Sequence, residues 1–165
     1  MIVLGVDPGI ATTGYGLVSE EQDSRVITLT YGTIETPKTD NLPARLLALR
    51  RQLIALIEHW RPTESAVEAL FFATNVKTAM TVGQARGVIL VTLEEAGVPI
   101  GEYTPLQVKQ AISGYGQADK KQMQTMVQML LSLDKIPKPD DAADAMAIAI
   151  THLHAARFNK LAARS

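Results

Sequence analysis

The sequence predicts an α/β domain, with one mixed sheet and helices on both of its faces. Three observations carry this. Residues 2–34 hold three apolar or β-branched runs separated only by short turns. From Leu46 onward apolar residues recur at helical spacing. Beyond that, short strand-like runs alternate with helical segments, and no linker is long enough to divide the chain. Residues 1–165 therefore read as a single domain, with a polar tail at about 155–165.

Each element follows from local chemistry. Ile2-Val3-Leu4-Gly5-Val6 is an apolar run that stops at Asp7-Pro8-Gly9, a buried strand entering a turn. Gly14-Tyr15-Gly16-Leu17-Val18 follows almost at once, and the β-branched run Val26–Ile34 comes after the polar Glu20–Ser24. Together they predict an antiparallel meander. Leu46, Leu49, Leu53, Leu56 and Trp60 then mark a helix, with Pro43 near its start and Pro62 beyond its end. Ser65–Leu70 is a short strand. A long helix covers Asn75–Ala96 and is closed by Gly97. Pro99–Tyr103 is another strand. Thr104 caps a helix that has Pro105 at its first position and ends near Ile112. Asp119 caps a Met-rich helix reaching about Leu133, and a final helix runs from about Asp140 to Arg157.

Composition narrows the class. The chain has 165 residues, of which 47% are hydrophobic, enough for a sizeable core and against disorder. It has no cysteine, which excludes disulfides and thiolate metal sites and suits a reducing cytoplasm. No basic and apolar leader precedes the first strand, and no apolar run approaches the ~18 residues of a membrane span. The net charge is -1, with a pI near 6.3, whereas nucleic-acid binding usually shows a basic domain. Acidic residues gathered in a site can offset basic residues on its rim.

Four carboxylates stand out. Asp7 is a charge at the end of an apolar strand, readable as a turn former or as a ligand at a sheet edge. Glu68 lies in the apolar stretch Ala66-Val67 to Leu70-Phe71-Phe72, where an unpaired carboxylate is costly to bury. It faces either open water or a polar site that holds a cation. Asp141 and Asp144 are three residues apart on one helix face, among alanines that permit close packing. Asp140 beside them complements the helix dipole. Gathered together, the four would repel one another, by about 4 kcal/mol for a pair ~4 Å apart at an effective dielectric near 20. Divalent cations would relieve this, and all-oxygen donors suit Mg²⁺ or Mn²⁺. Two such ions can drive phosphodiester cleavage.

Further motifs bring a resemblance. Gly5-Val6-Asp7-Pro8-Gly9 with Thr13-Gly14-Tyr15-Gly16, then Gly83-Gln84-Ala85-Arg86-Gly87, then Gln107-Val108-Lys109-Gln110, then Asp141-Ala142-Ala143-Asp144-Ala145 through Ala149-Ile150-Thr151-His152 occur in that order. From about Ile2 to His154 the chain resembles the RuvC family of crossover junction endodeoxyribonucleases. The resemblance implies a ribonuclease-H-like fold with a five-stranded mixed sheet flanked by helices on both faces. It implies Asp7, Glu68, Asp141 and Asp144 as catalytic metal ligands, two Mg²⁺ per site with Mn²⁺ able to substitute, and Lys109 and Lys120 as contacts to DNA near the scissile phosphate. It matches Phe71 to an aromatic that stacks on a base, and Arg86 is placed with the DNA contacts. The implied partners are a four-way DNA junction, a second copy of the chain, and a branch-migration motor of the RuvA and RuvB type.

Other readings stay open from the residues alone. Gly83 and Gly87 allow close helix approach, either to a second copy or to the chain's own sheet. Asp7-Pro8-Gly9 with Thr12-Thr13-Gly14 also resembles the phosphate loop of actin-like ATPases, which use two such domains. A nuclease for structured RNA and a junction-binding scaffold without catalysis are the remaining alternatives. His152 lies roughly 12 Å along a helix from Asp144, too far to share an ion, so it and His154 read as structural or surface residues.

Overall fold

The computed structural model describes residues 1–21, 25–69 and 76–162, with backbone alone at 76–78, 160 and 161. In chain order the elements are β1 (Ile2–Asp7), β2 (Thr12–Glu20), β3 (Val26–Glu35), α1 (Leu42–Trp60), β4 (Glu64–Glu68), α2 (Val76–Glu95), β5 (Ile100–Tyr103), α3 (Pro105–Ser113), α4 (Lys120–Leu130) and α5 (Asp140–Ala162). The sheet order is β3-β2-β1-β4-β5. The first three strands pair antiparallel, and β4 and β5 run parallel to β1. This is the ribonuclease-H-like mixed sheet that the sequence leads one to expect.

Strand periodicity sorts side chains onto two faces. Leu4, Val6, Leu17 and Val67 pack under α1 and α2 with Leu49, Leu53, Ile89 and Leu93. Val3, Val18 and Ala66 pack under α5, with α3 and α4 outside it, against Met146, Ile150 and Leu153. Asp7 keeps step with Val3, and Glu68 keeps step with Ala66. Both carboxylates are thereby directed to the α5 side.

Side-chain volume sets how close α5 comes to the sheet. A Cβ on Gly5 would run into the Ala145 carbonyl, one on Gly14 into the Asp141 carbonyl, and one on Gly16 into Met146. Ala142, Ala145 and Ala149 on the helix are fully buried. Small residues on both sides let α5 lie against β1 and β2 over its first three turns.

Caps formed where the residues called for them. Asn41 accepts the Ala44 N–H ahead of α1, and Thr104 with Gln107 and Asp119 with Gln122 close reciprocal capping boxes on α3 and α4. Gly97, at φ 67°, ends α2. Several boundaries differ from the sequence reading, and β2 runs Thr12–Glu20 where Gly14–Val18 was expected. The fourth strand ends at Glu68 instead of Leu70, although the Ala69 N–H still donates to the Tyr103 carbonyl at 2.8 Å; Leu70 lies outside the described residues. Helix α4 stops at Leu130, because Ser132 adopts φ 50°. Helix α5 continues to Ala162, through much of the expected tail. Arg157 Nε donates to Glu20 Oε1 at 2.6 Å, which pins that stretch of helix beside β2.

Gly5→Ala tests the close approach. Overpacking of this kind costs about 1–3 kcal/mol, on the order of 5 °C in Tm for a chain of this size. Calorimetry should show that loss, and an unchanged Tm would mean that α5 is not held where it is by the absence of a side chain at Gly5.

Candidate active site

Asp7 and Glu68 are the last residues of two neighbouring parallel strands, whose register pairs Val6 with Val67. Both face α5, whose first turns carry Asp141 and Asp144. The contact of Gly14 with the Asp141 backbone fixes how deep that helix start sits against β2. The turn after Asp7 is braced. Thr13 Oγ1 donates to the Gly9 carbonyl at 2.5 Å, and Arg45 Nη2 to the Ile10 carbonyl at 3.1 Å, while Arg45 Nε reaches Thr36 Oγ1 at 3.0 Å. This use of Arg45 depends on partners that local sequence does not reveal.

The carboxylates act on one another. Burial pushes the Asp7 carboxyl up to about 8, helped by the charges of Glu68, Asp144 and Asp141 and opposed by Lys120. Burial and the Asp144 charge push Glu68 up to about 6. Asp144 is raised as well, by burial first, although the Lys120 ammonium opposes it. Among the described residues, no three acidic or histidine side chains converge closely enough to hold one ion as they stand. The donor chemistry nevertheless fits a hard divalent cation. Every donor is a carboxylate oxygen, and burial together with the charges of Glu68, Asp144 and Asp141 outweighs Lys120 in raising Asp7.

Lys120, at the first turn of α4, supplies the local positive charge. Its Nζ lies 3.2 Å from Asp140 Oδ2 and 3.5 Å from Asp144 Oδ2. Burial works against its charge, but the Asp144 charge and the Asp140 hydrogen bond outweigh that and raise its pKa. Asp140 does more than complement a helix dipole. Its Oδ1 accepts from Lys138 Nζ at 3.1 Å and from the buried Gln124 amide at 2.9 Å, and these bonds with Lys120 hold its carboxyl down at about 2. Gln124 is buried on the Met-rich α4, a placement that depends on the tertiary fold and not on the local sequence.

The remaining expected residues divide. Lys109 is half-buried on α3 and makes no ion pair among the described residues. Arg86 on α2 points to the sheet: its Nε donates to the Glu68 carbonyl at 3.0 Å, and its Nη2 pairs with Glu102. Phe71 and Phe72 lie outside the described residues. His152 is structural, as expected. It is buried, with Nε2 2.5 Å from Glu64 Oε2 and Nδ1 3.0 Å from the Tyr103 hydroxyl, so it ties α5 to β4 and β5.

With this geometry in place, similarity to known proteins is informative. The family model for crossover junction endodeoxyribonuclease RuvC matches residues 3–152. A protein of that name from Syntrophomonas wolfei is 56% identical over 159 residues, covering 96% of this chain and 92% of its own. Among solved structures, Thermus thermophilus RuvC superposes with a TM-score of 0.89 at 37% identity, covering 96% of this chain and 97% of that one. The same protein in complex with a Holliday junction substrate gives 0.87 at 35% identity, covering 96% of each chain.

The raised carboxyls make stability depend on pH and metal. Asp7 and Glu68 have folded pKa values above their ordinary 3.8 and 4.5, so the metal-free fold binds more protons than the unfolded chain between those values and about 8 and 6. Their contribution is greatest below the ordinary pKa values and is lost as pH rises. In EDTA, Tm should fall from about pH 5 to about pH 8, and Mg²⁺ should raise Tm more at the higher pH. Asp7→Asn should flatten most of the slope. A flat Tm in EDTA would contradict the clustering.

Proposed function

The chain belongs to the RuvC family of crossover junction endodeoxyribonucleases, and from that premise we propose that it resolves Holliday junctions by metal-dependent cleavage of two symmetrically placed phosphodiester bonds. The observation that carries the chemistry is the Asp7 carboxyl, pushed up to about 8 by its burial among Glu68, Asp141 and Asp144. Asp7, Glu68, Asp141 and Asp144 would hold Mg²⁺, two ions per site, with Mn²⁺ able to substitute. Bound there, the ions supply the charge that activates water and stabilises the leaving 3′ oxygen.

The chain's own residues do the rest. Lys120 is 55% exposed while anchored to Asp140 and Asp144, so its ammonium can take a phosphate oxygen at the edge of the carboxylate cluster. Lys109 would add a second phosphate contact from α3. Phe71, just past Glu68 in sequence, would stack on a base beside the crossover. The modest pI is compatible with this, because four of the 17 acidic residues lie in the cutting site, where cations would offset them.

A second copy would supply the second cut. On α2, Met80, Gln84, Gly87 and Val91 follow helical spacing along one exposed face, with Met80 65% and Val91 56% exposed. Among the described residues a Cβ on Gly87 would meet nothing within 4 Å, so this glycine is not required for packing against them. That favours the reading in which it admits a partner helix, and a two-fold dimer through α2 would present matched sites to two strands of the junction. The family resemblance adds a branch-migration motor of the RuvA and RuvB type as a partner and the cytoplasm as the setting. Among the described residues, no helix is long and apolar enough to cross a membrane.

Cleavage of a synthetic mobile four-way DNA junction tests the proposal, run beside linear duplex and structured RNA. Paired nicks in the junction alone, abolished by EDTA, are expected. Glu68→Gln should abolish cutting, because it removes a metal ligand, yet still bind the junction. Val91→Asp should sediment as a monomer and lose the paired nick. Binding without cutting in either Mg²⁺ or Mn²⁺ would indicate a scaffold, and preference for RNA would indicate an RNA-processing nuclease.

A further inference from the structure

We propose that Arg86 is a positioning residue for Glu68, holding the end of β4 from the face opposite the carboxylate, and that it is not a contact to DNA. The inference rests on the junction-cutting reading above. Glu68 is the last residue of a five-residue strand, so little strand pairing remains to fix its backbone. On the β5 side, the Ala69 N–H reaches the Tyr103 carbonyl. The carbonyl of Glu68 itself is taken by the Arg86 Nε at 3.0 Å.

Strand periodicity shows why this bond comes from the far side. Glu68 keeps step with Ala66 toward α5, whereas Val67 and Ile100 face α1 and α2. Glu102 keeps step with Ile100 and meets Arg86 there. The guanidinium is therefore shared between the Glu68 carbonyl and the Glu102 carboxylate. Glu102 balances its charge, and the Glu68 carbonyl receives a directed N–H from a side chain only 15% exposed. A planar fork can serve two acceptors at once, and a lysine ammonium on a flexible stem cannot reproduce that geometry. A phosphate contact needs the opposite: an open guanidinium whose charge is not already matched. Partners that orient a metal ligand typically govern metal affinity or activity by about 10–100-fold.

The test compares wild type, Arg86→Gln, Arg86→Lys and Glu102→Gln as full chains. Three quantities are read: the Mg²⁺ concentration for half-maximal junction cutting, junction affinity in Ca²⁺ across a salt series, and Tm. Arg86→Gln should raise the Mg²⁺ midpoint by about 10-fold or more, with junction affinity and its salt slope unchanged. Arg86→Lys should recover only part of the midpoint. Glu102→Gln, at an exposed position that should not impair folding, should shift the midpoint the same way by less. An unchanged midpoint with weaker binding and a shallower salt slope, restored by lysine, would show a phosphate contact and overturn the inference. A lowered Tm with an unchanged midpoint would overturn it too, as a role in folding alone. A wild type that cuts no junction would instead overturn the junction-cutting reading, and this inference with it.

Discussion

The close seating of α5 on β1 and β2 is the constraint from which the site follows. Gly5, Gly14 and Gly16 leave room for helix backbone where side chains would otherwise stand. The alanines of α5 do the same from the other side. As a result Asp141 and Asp144, on the first turns of the helix, come up against the strand ends that carry Asp7 and Glu68. Burial, and after it the charges of the neighbouring acids, raises the Asp7, Glu68 and Asp144 carboxyls, and packing of the apolar core around α5 has to outweigh that cost.

The two faces of the sheet divide the labour. The α5 face holds the carboxylates and, further along the helix, the His152–Glu64–Tyr103 network that secures it to β4 and β5. The opposite face carries α1 and α2, with an exposed stripe on α2 that includes Met80 and Val91, and Arg86 reaching through to the Glu68 backbone. Lys120 and Asp140 close the open side of the carboxylate cluster. Their arrangement is polar and braced: Gln124 and Lys138 fix Asp140, which in turn fixes the ammonium beside Asp144.

Much of this was legible in the sequence because it rests on periodicity and on charge in unsuitable places. The meander, the alternating helices, and the caps at Thr104 and Asp119 follow from local rules. Asp7 and Glu68 were conspicuous because carboxylates at the ends of apolar strands need a reason. What stayed hidden depends on distant partners. Nothing local told that Asp140 would gather Lys120, Gln124 and Lys138, or that Arg86 would turn inward to Glu68 and Glu102. The expected end of α5 near Arg157 fell short of Ala162, and the bond from Arg157 to Glu20 that seats this stretch beside β2 joins residues far apart in sequence. The open space beside Gly87 likewise depends on the tertiary fold, which a sequence does not display.

The central claim is that four carboxylates from β1, β4 and α5 form one cation site. Anomalous diffraction from crystals grown with Mn²⁺ and an uncleavable four-way junction would test it most directly. Manganese peaks ligated by oxygens of Asp7, Glu68, Asp141 and Asp144, beside the junction phosphate, are expected. Peaks confined to other acidic residues, or a junction phosphate bound with no metal at these four, would contradict it.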